Sequence, residues 1–254
     1  MRAGGARAAG RLLAMLAVAT LALQLYFAAR IGLMRVVAPA STTFQRSEIY
    51  RLATETHALL WSEQWVPRER IADSLRRAVI ASEDAGFTDH SGVEWDAIEK
   101  AWNRNQKAEA RAESASARAA PRKPAARPRI VAKVVGGSTI SQQLAKNLFL
   151  SGERTVLRKA QEFVVTMMLE ALLGKDRLLT VYLNHVEWGE GVFGAQAAAR
   201  HYFRVDAAQL GAMQAARLAV MLPAPKRFEK QPNSPWVVGR AGTIVARMGA
   251  VDLP

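Results

Sequence analysis

Eighteen consecutive residues near the start of the chain, Leu12 to Ala29, carry no charge: LLAMLAVATLALQLYFAA. A helix rises about 1.5 Å per residue, so this run would span roughly 27 Å, close to the hydrocarbon thickness of a bilayer. Ile31 to Met34 extends it past Arg30, whose long stem lets the guanidinium reach the headgroups. A transmembrane anchor over residues 12–34 is therefore expected, preceded by a basic tail over 1–11. Arg2, Arg7 and Arg11 favour a cytoplasmic tail, while Arg30 and Arg35 weaken that bias. A cleaved signal peptide is the competing reading, but the apolar run is long for one and an arginine follows it directly. Residues 41–254 then lie outside and suffice for one domain with a sizeable core.

The formal charge of +13 invites nucleic acid as a partner. Its distribution argues otherwise. Met1 to Arg35 holds five arginines and no acid, and Arg104 to Lys133 holds nine bases against two acids. The remainder is near neutral, so the basicity belongs to two appendages and no nucleic acid is expected. There is no cysteine, which excludes disulfides, thiolate metal sites and a cysteine nucleophile.

Ser41 to Trp65 reads as helix, with Trp61 and Trp65 either at the lipid interface or in the core. Pro67 is placed to open the next helix. There Ile71, Leu75 and Val79 recur every four residues as an apolar stripe, and the next position on it is Glu83. An acid continuing a buried face is desolvated, which raises its pKa and suits it to general-base work. The same position also fits a helix-end glutamate turned to solvent.

Residues 136–147 read Gly-Gly-Ser-Thr-Ile-Ser-Gln-Gln-Leu-Ala-Lys-Asn. Thr139 and Gln142 have capping-box spacing, and Ile140, Leu144 and Leu148 form an apolar face. A glycine-rich entry into a capped helix presents free backbone N–H groups, which suit an anion such as a phosphate. An ordinary capped helix after a loop has the same local features.

As strings these stretches say more. Residues 136–147 resemble the second signature motif of the peptidoglycan glycosyltransferases, which polymerise lipid II into glycan strands. Glu83-Asp84-x-x-Phe87-x-x-His90-x-Gly92 resembles the first, whose leading Glu is the catalytic base. Arg158-Lys159-x-x-Glu162 resembles the third, in which the bases face pyrophosphate and the Glu is the second acid of the site. Unaided by the resemblance, Arg158 and Glu162 would pass for a surface ion pair of about 0.3–0.5 kcal/mol. Lys175 to Asn184 resembles the fourth motif, with Thr180 where Glu is common in the family, so no role is carried to that position. Ala215 to Pro225 resembles the fifth; its closing prolines stop the helix. No Ser-x-x-Lys or Lys-Thr-Gly occurs, so transpeptidase chemistry is not expected.

Between the first two motifs, residues 106–131 are rich in Ala, Arg, Pro and Ser. Such a composition buries too little surface to offset its ordering entropy, so a disordered basic insertion is expected. Helix is expected from Thr155 to Leu173, with Leu157, Val164, Met168 and Ala171 on its apolar side. Glu187 and Glu190 are expected to be solvated or capping acids. No alternating strand pattern stands out, so the fold class is all-α.

The resemblance implies a lysozyme-like domain with a membrane-embedded jaw on the periplasmic side of a bacterial inner membrane. It implies Glu83 and Glu162 as the catalytic acids, and Lys146, Arg158 and Lys159 around the pyrophosphate. Gln142, Gln143, Gly137, Ser138 and Thr139 would shape that pocket, with Asp84, Phe87, His90 and Gly92 supporting the first motif. Lipid II, the nascent glycan strand and the membrane are the implied partners, beside cell wall synthesis or division proteins. A divalent cation, Mg or Mn, is compatible with the family, but no metal-ligand pattern is visible in the sequence.

Overall fold

The computed structural model describes residues 2–57, 60–95, 99, 106–107, 137–150, 152–153 and 155–254. The expected disordered insertion at 106–131 lies, except for 106–107, outside the described residues.

The chain starts with a long helix, α1 (Arg2–Leu33). Its stretch Ala8–Leu33 is long and apolar enough to cross a membrane. Most of its side chains face outward, Leu13 and Val18 at 67% exposure. The final turns do not: Phe27, Ile31 and Met34 are buried in the same core as the rest of the protein. Phe27 meets Phe149 edge-on at 5.1 Å, and the amides of Gln24 and Gln161 pair reciprocally at 2.8 and 3.1 Å. Arg177 Nε donates to the Met34 carbonyl at 2.7 Å, satisfying an acceptor that the end of a helix would otherwise leave open.

The short helix α2 (Thr43–Arg51) begins with a Thr42/Gln45 capping box. The helix expected over Ser41 to Trp65 stops far earlier. A π turn, Leu52–Thr56, and His57 at φ 52° end it, and the chain becomes extended at β1 (Ser62–Glu63). Tertiary pairing overrides local preference here. Trp61 stacks on Phe193 at 4.5 Å, and Val66 N donates to Asn184 Oδ1 at 2.8 Å. Of the two tryptophans, Trp61 is thus fixed against Phe193, and Trp65 is a partly buried neighbour of His185 and Arg177.

Pro67 does not open the next helix directly. A 3-10 turn, Arg68–Arg70, and the extended Ile71 intervene before α3 (Asp73–Glu83). The stripe holds nonetheless: Ile71, Leu75 and Val79 are all buried. On the other side of the gap come α4 (Ile140–Phe149), α5 (Val156–Leu173) and α6 (Lys175–His185). From Leu178 to His185 every residue of α6 is buried, so this helix is the central post of the domain. Thr180 is buried there and its hydroxyl bonds back to the Asp176 carbonyl at 2.9 Å.

The apolar side expected for α5 is not its core side. Glu162, Val165, Thr166, Leu169 and Leu173 face inward. Leu157 is 81% exposed, Val164 and Ala171 are also exposed, and Met168 alone of the expected set packs against the core.

A small sheet was not anticipated. β2 (Glu187–Gly189) and β3 (Val192–Phe193) form a hairpin, and β1 joins β3 in parallel, giving the order β1-β3-β2. Gly191, at φ +71°, makes the turn; a Cβ there would lie 1.9 Å from the Leu60 carbonyl oxygen. Strands of two or three residues cannot display an alternating pattern. The remainder is helical: α7 (Ala195–Phe203), α8 (Ala212–Met221), the single turn α9 (Pro225–Phe228) and α10 (Pro235–Met248). α3, α8 and α10 pack on one another and fix the C-terminal end of α3.

Candidate active site

α3 ends at Glu83, a partly buried side chain at the end of the apolar stripe. Burial holds its carboxyl above the ordinary glutamate range. Hydrogen bonds from Gln143 and Ser82 oppose that shift, and the neighbouring Asp84 adds to it. Gln143 Nε2 donates to Glu83 Oε2 at 3.0 Å, and the Tyr182 hydroxyl donates to Gln143 Oε1 at 2.9 Å.

Asp84, next in the chain, is buried and turns the other way. Its Oδ1 accepts from His90 Nε2 at 2.8 Å, and its Oδ2 accepts from the Ile140 backbone N–H at 3.0 Å. The Gly92 N–H donates to His90 Nδ1 at 3.0 Å, which leaves Nε2 as the protonated nitrogen facing Asp84. The carboxylate lies where the α4 N-terminus offers free N–H groups, a favourable place for negative charge. Thus Asp84 and His90 join the turn after α3 to the start of α4. Phe87 is fully buried beneath them, with Lys175 Nζ over its ring at 4.5 Å. Gly92 sits at φ +89°, and a Cβ there would come within 2.8 Å of Thr166 Cγ2.

The start of α4 is a capping box. Thr139 Oγ1 accepts from Gln142 N at 3.2 Å and Gln142 Oε1 from Thr139 N at 3.1 Å, while the Thr139 hydroxyl donates to the Gly92 carbonyl at 2.6 Å. These two side chains are committed to the cap. Gly137 is half-buried and Ser138 exposed just ahead of it.

Gln143 and Lys146 are three residues apart on α4 and share a face. Gln143 reaches Glu83, and Lys146 lies in the field of Glu162, Arg158 and Lys159. Crowding by protein atoms holds the Lys146 ammonium below the ordinary lysine value; Glu162 opposes this, and Arg158 and Lys159 reinforce it. The residue as a whole is exposed, so the desolvation is local to its head. On α5, the buried Glu162 receives Arg158 Nη1 at 2.9 Å and also the Lys159 ammonium. Two cations thus hold one buried acid, and Lys146, one helical turn along α4 from Gln143, feels the charge of all three.

Asp84, His90 and Glu94 bring potential metal-ligand atoms within 4.8 Å of one another. They do not fit a resident cation. Both Asp84 oxygens and both His90 nitrogens are already engaged in the ties just described.

Two residues escaped the sequence reading. Tyr182 lies 39 positions from Gln143, and no local signal links them. Glu187, expected to be solvated or capping, is buried at 7% exposure. Its carboxyl is pushed up to about 7, chiefly by burial, despite Lys226 Nζ at 3.4 Å. Its apolar neighbours Val186 and Trp188 were the available hint. Glu190 is exposed, paired with Arg51 at 2.6 Å.

The transglycosylase family profile matches residues 52–118 and 125–249, the break falling within the basic stretch 106–131. A biosynthetic peptidoglycan transglycosylase of Burkholderia pseudomallei is 49% identical over 236 residues, covering 93% of this chain and 84% of the relative. Proteins of the same name from Paraburkholderia xenovorans and Bordetella pertussis are 45% and 47% identical over 95% and 85% of this chain, and 91% and 82% of their own. The chain belongs to the transglycosylase family, and is a glycosyltransferase of peptidoglycan synthesis in the cell wall.

Proposed function

We propose that the enzyme polymerises lipid II into β-1,4-linked glycan strands, releasing undecaprenyl pyrophosphate, with Glu83 as the base. The observation that supports this most is the shared face of α4. It brings Gln143 to a desolvated carboxylate and Lys146 to a cluster of cations. Glu83 takes the proton of the acceptor sugar 4-hydroxyl, and the freed oxygen displaces the pyrophosphate from C1 of the donor chain with inversion. Negative charge grows on the leaving group, and Lys146, Arg158 and Lys159 stabilise it. Glu162 already holds Arg158 and Lys159. That contact supports orienting the two cations as its role. Peptide cross-linking is outside this chemistry.

The apolar α1 anchors the domain on the periplasmic face of the inner membrane, where the lipid tail of the substrate lies. Confinement there replaces a three-dimensional search with a planar one. The nascent strand is the second substrate, and cell wall synthesis or division proteins are the natural neighbours.

The test is incubation of the purified full chain with lipid II in detergent. Glycan polymer and undecaprenyl pyrophosphate are the expected products, absent with Glu83→Gln. Cleavage of preformed glycan without polymer formation would identify a lysozyme-like hydrolase instead, and the absence of any reaction would mark a non-catalytic assembly protein.

A further inference from the structure

We propose that Tyr182 is a positioning residue for the base: through the Gln143 amide it holds the Glu83 carboxylate with one oxygen committed and the other free to take a proton. The inference rests on the reading of Glu83 as the base.

The polarity of the chain Tyr182–Gln143–Glu83 follows from what each group can do. An ionised carboxylate only accepts, so Gln143 must turn its NH2 toward Glu83 Oε2, 3.0 Å away. Its carbonyl oxygen then faces the Tyr182 hydroxyl at 2.9 Å, which must donate. Tyr182 is 1% exposed on the central helix α6, so this hydroxyl cannot swing out to water. Burial, with Glu83 and Asp84 nearby, pushes its phenol well above the ordinary tyrosine value, so it remains a donor through the working pH range.

The consequence lies at Glu83. Oε2 is held by Gln143, whereas among the described residues Oε1 meets only a long contact from Ser82 Oγ at 3.4 Å. Oε1 is thus the oxygen open to the acceptor hydroxyl. Were the Gln143 amide to flip, its oxygen would face the carboxylate and favour the protonated acid, which is no base. The Tyr182 hydroxyl opposes that flip. Protonated Glu83 likewise meets a donor in place of an acceptor, which favours return of its proton to solvent after each turnover.

The experiment measures initial rates of lipid II polymerisation by the full chain in detergent across pH, with kcat and KM separated, for wild type, Tyr182→Phe, Gln143→Ala and the double variant. Loss of the Tyr182 hydroxyl frees the Gln143 amide to flip, and the hydrogen bond then lost from the charged carboxylate shifts its titration by about one pH unit. Tyr182→Phe should therefore lower kcat with KM changed less than about twofold, and move the acid limb of the kcat profile upward by about one unit. The loss should be about tenfold greater at the acid end than at the alkaline end. Gln143→Ala should show the same displaced limb, and the double variant should displace it no further. A limb that stays in place in Tyr182→Phe, whether the rate is normal or reduced equally at every pH, overturns the proposal. So does additive displacement in the double variant. Gln143 is half-buried, so its variant keeps the test usable if loss of the tyrosine hydroxyl weakens the fold. A wild-type chain that makes no polymer would instead refute the underlying function.

Discussion

Replacing Glu187 by Gln should stabilise this protein, and do so only above a definite pH. Glu187 is buried on β2, and its carboxyl titrates at about 7 in the folded state. In the unfolded chain it titrates near the ordinary glutamate value of about 4.3. Between these values the folded state holds a proton that the unfolded state has released. Stability therefore falls as pH rises through this window and levels off above 7. The difference, between two and three pH units, corresponds to about 3 kcal/mol against the ionised folded form at pH 8.

A glutamine of the same shape removes that penalty. That value already includes the attraction to Lys226, so nothing further is deducted for it; Lys226 keeps its contact with Glu48. The expected gain at pH 8 is about 3 kcal/mol, or an upward Tm shift of roughly 6–12 °C for a domain of this size. Near pH 4.5, where Glu187 is protonated in the folded state, the variant should melt within about 2 °C of wild type. Thermal unfolding of the full chain in detergent at the two pH values measures both. Equal destabilisation at both would show that Glu187 and Lys226 form a net stabilising pair and that the burial argument is wrong.

Glu83→Gln should melt like wild type and lose more than nine-tenths of polymerisation; a folded variant that retains more than a tenth would remove Glu83 as the base. Lys146→Ala and Arg158→Ala should each cut kcat by about tenfold or more, as loss of a charge-stabilising donor does, while the exposed Arg240→Ala should not. Equal mild losses at all three would assign the cations to general membrane attraction. Removing residues 106–131 and closing with a short Gly/Ser linker should leave Tm and detergent activity nearly unchanged, since loop length costs only about 0.6 kcal/mol per doubling. Activity on anionic vesicles should fall, each lost Lys or Arg near such a surface removing about 1 kcal/mol of attraction. Loss of detergent activity would make the segment part of the working domain.

What could be read in advance was local. The four-residue stripe led to a partly buried, desolvated carboxyl at Glu83, because a helix on a core repeats its buried face and the next member inherits that environment. The Thr139/Gln142 box was visible for the same reason: both partners lie within one turn. Where the reading failed, the deciding contact was distant. Trp61 follows Phe193, not its own helix, and the Gln143–Tyr182 contact joins two motifs that each look self-contained.

The error on α5 has another cause. Periodicity finds the most apolar face and takes it for the inner one. Here the inner face carries Glu162 and Thr166, while Val156, Leu157, Phe163 and Val164 remain outside. In a protein that meets lipid, an apolar face has two destinations, and a one-dimensional pattern does not distinguish them.

The seating of α1 bears on how such an enzyme would be carried in a membrane. A tethered domain hangs from its helix like a float on a line and samples every tilt. Here Phe27 and Ile31 lie in the core, Gln24 clasps Gln161, and Arg177 holds the Met34 carbonyl just past the helix end. The helix is a mast stepped into the hull. Its tilt is also the tilt of the domain, so Glu83, Gln143 and Glu162 on α3, α4 and α5 would keep one height and one heading over a bilayer. A strand lengthened at such a site would always leave on the same bearing.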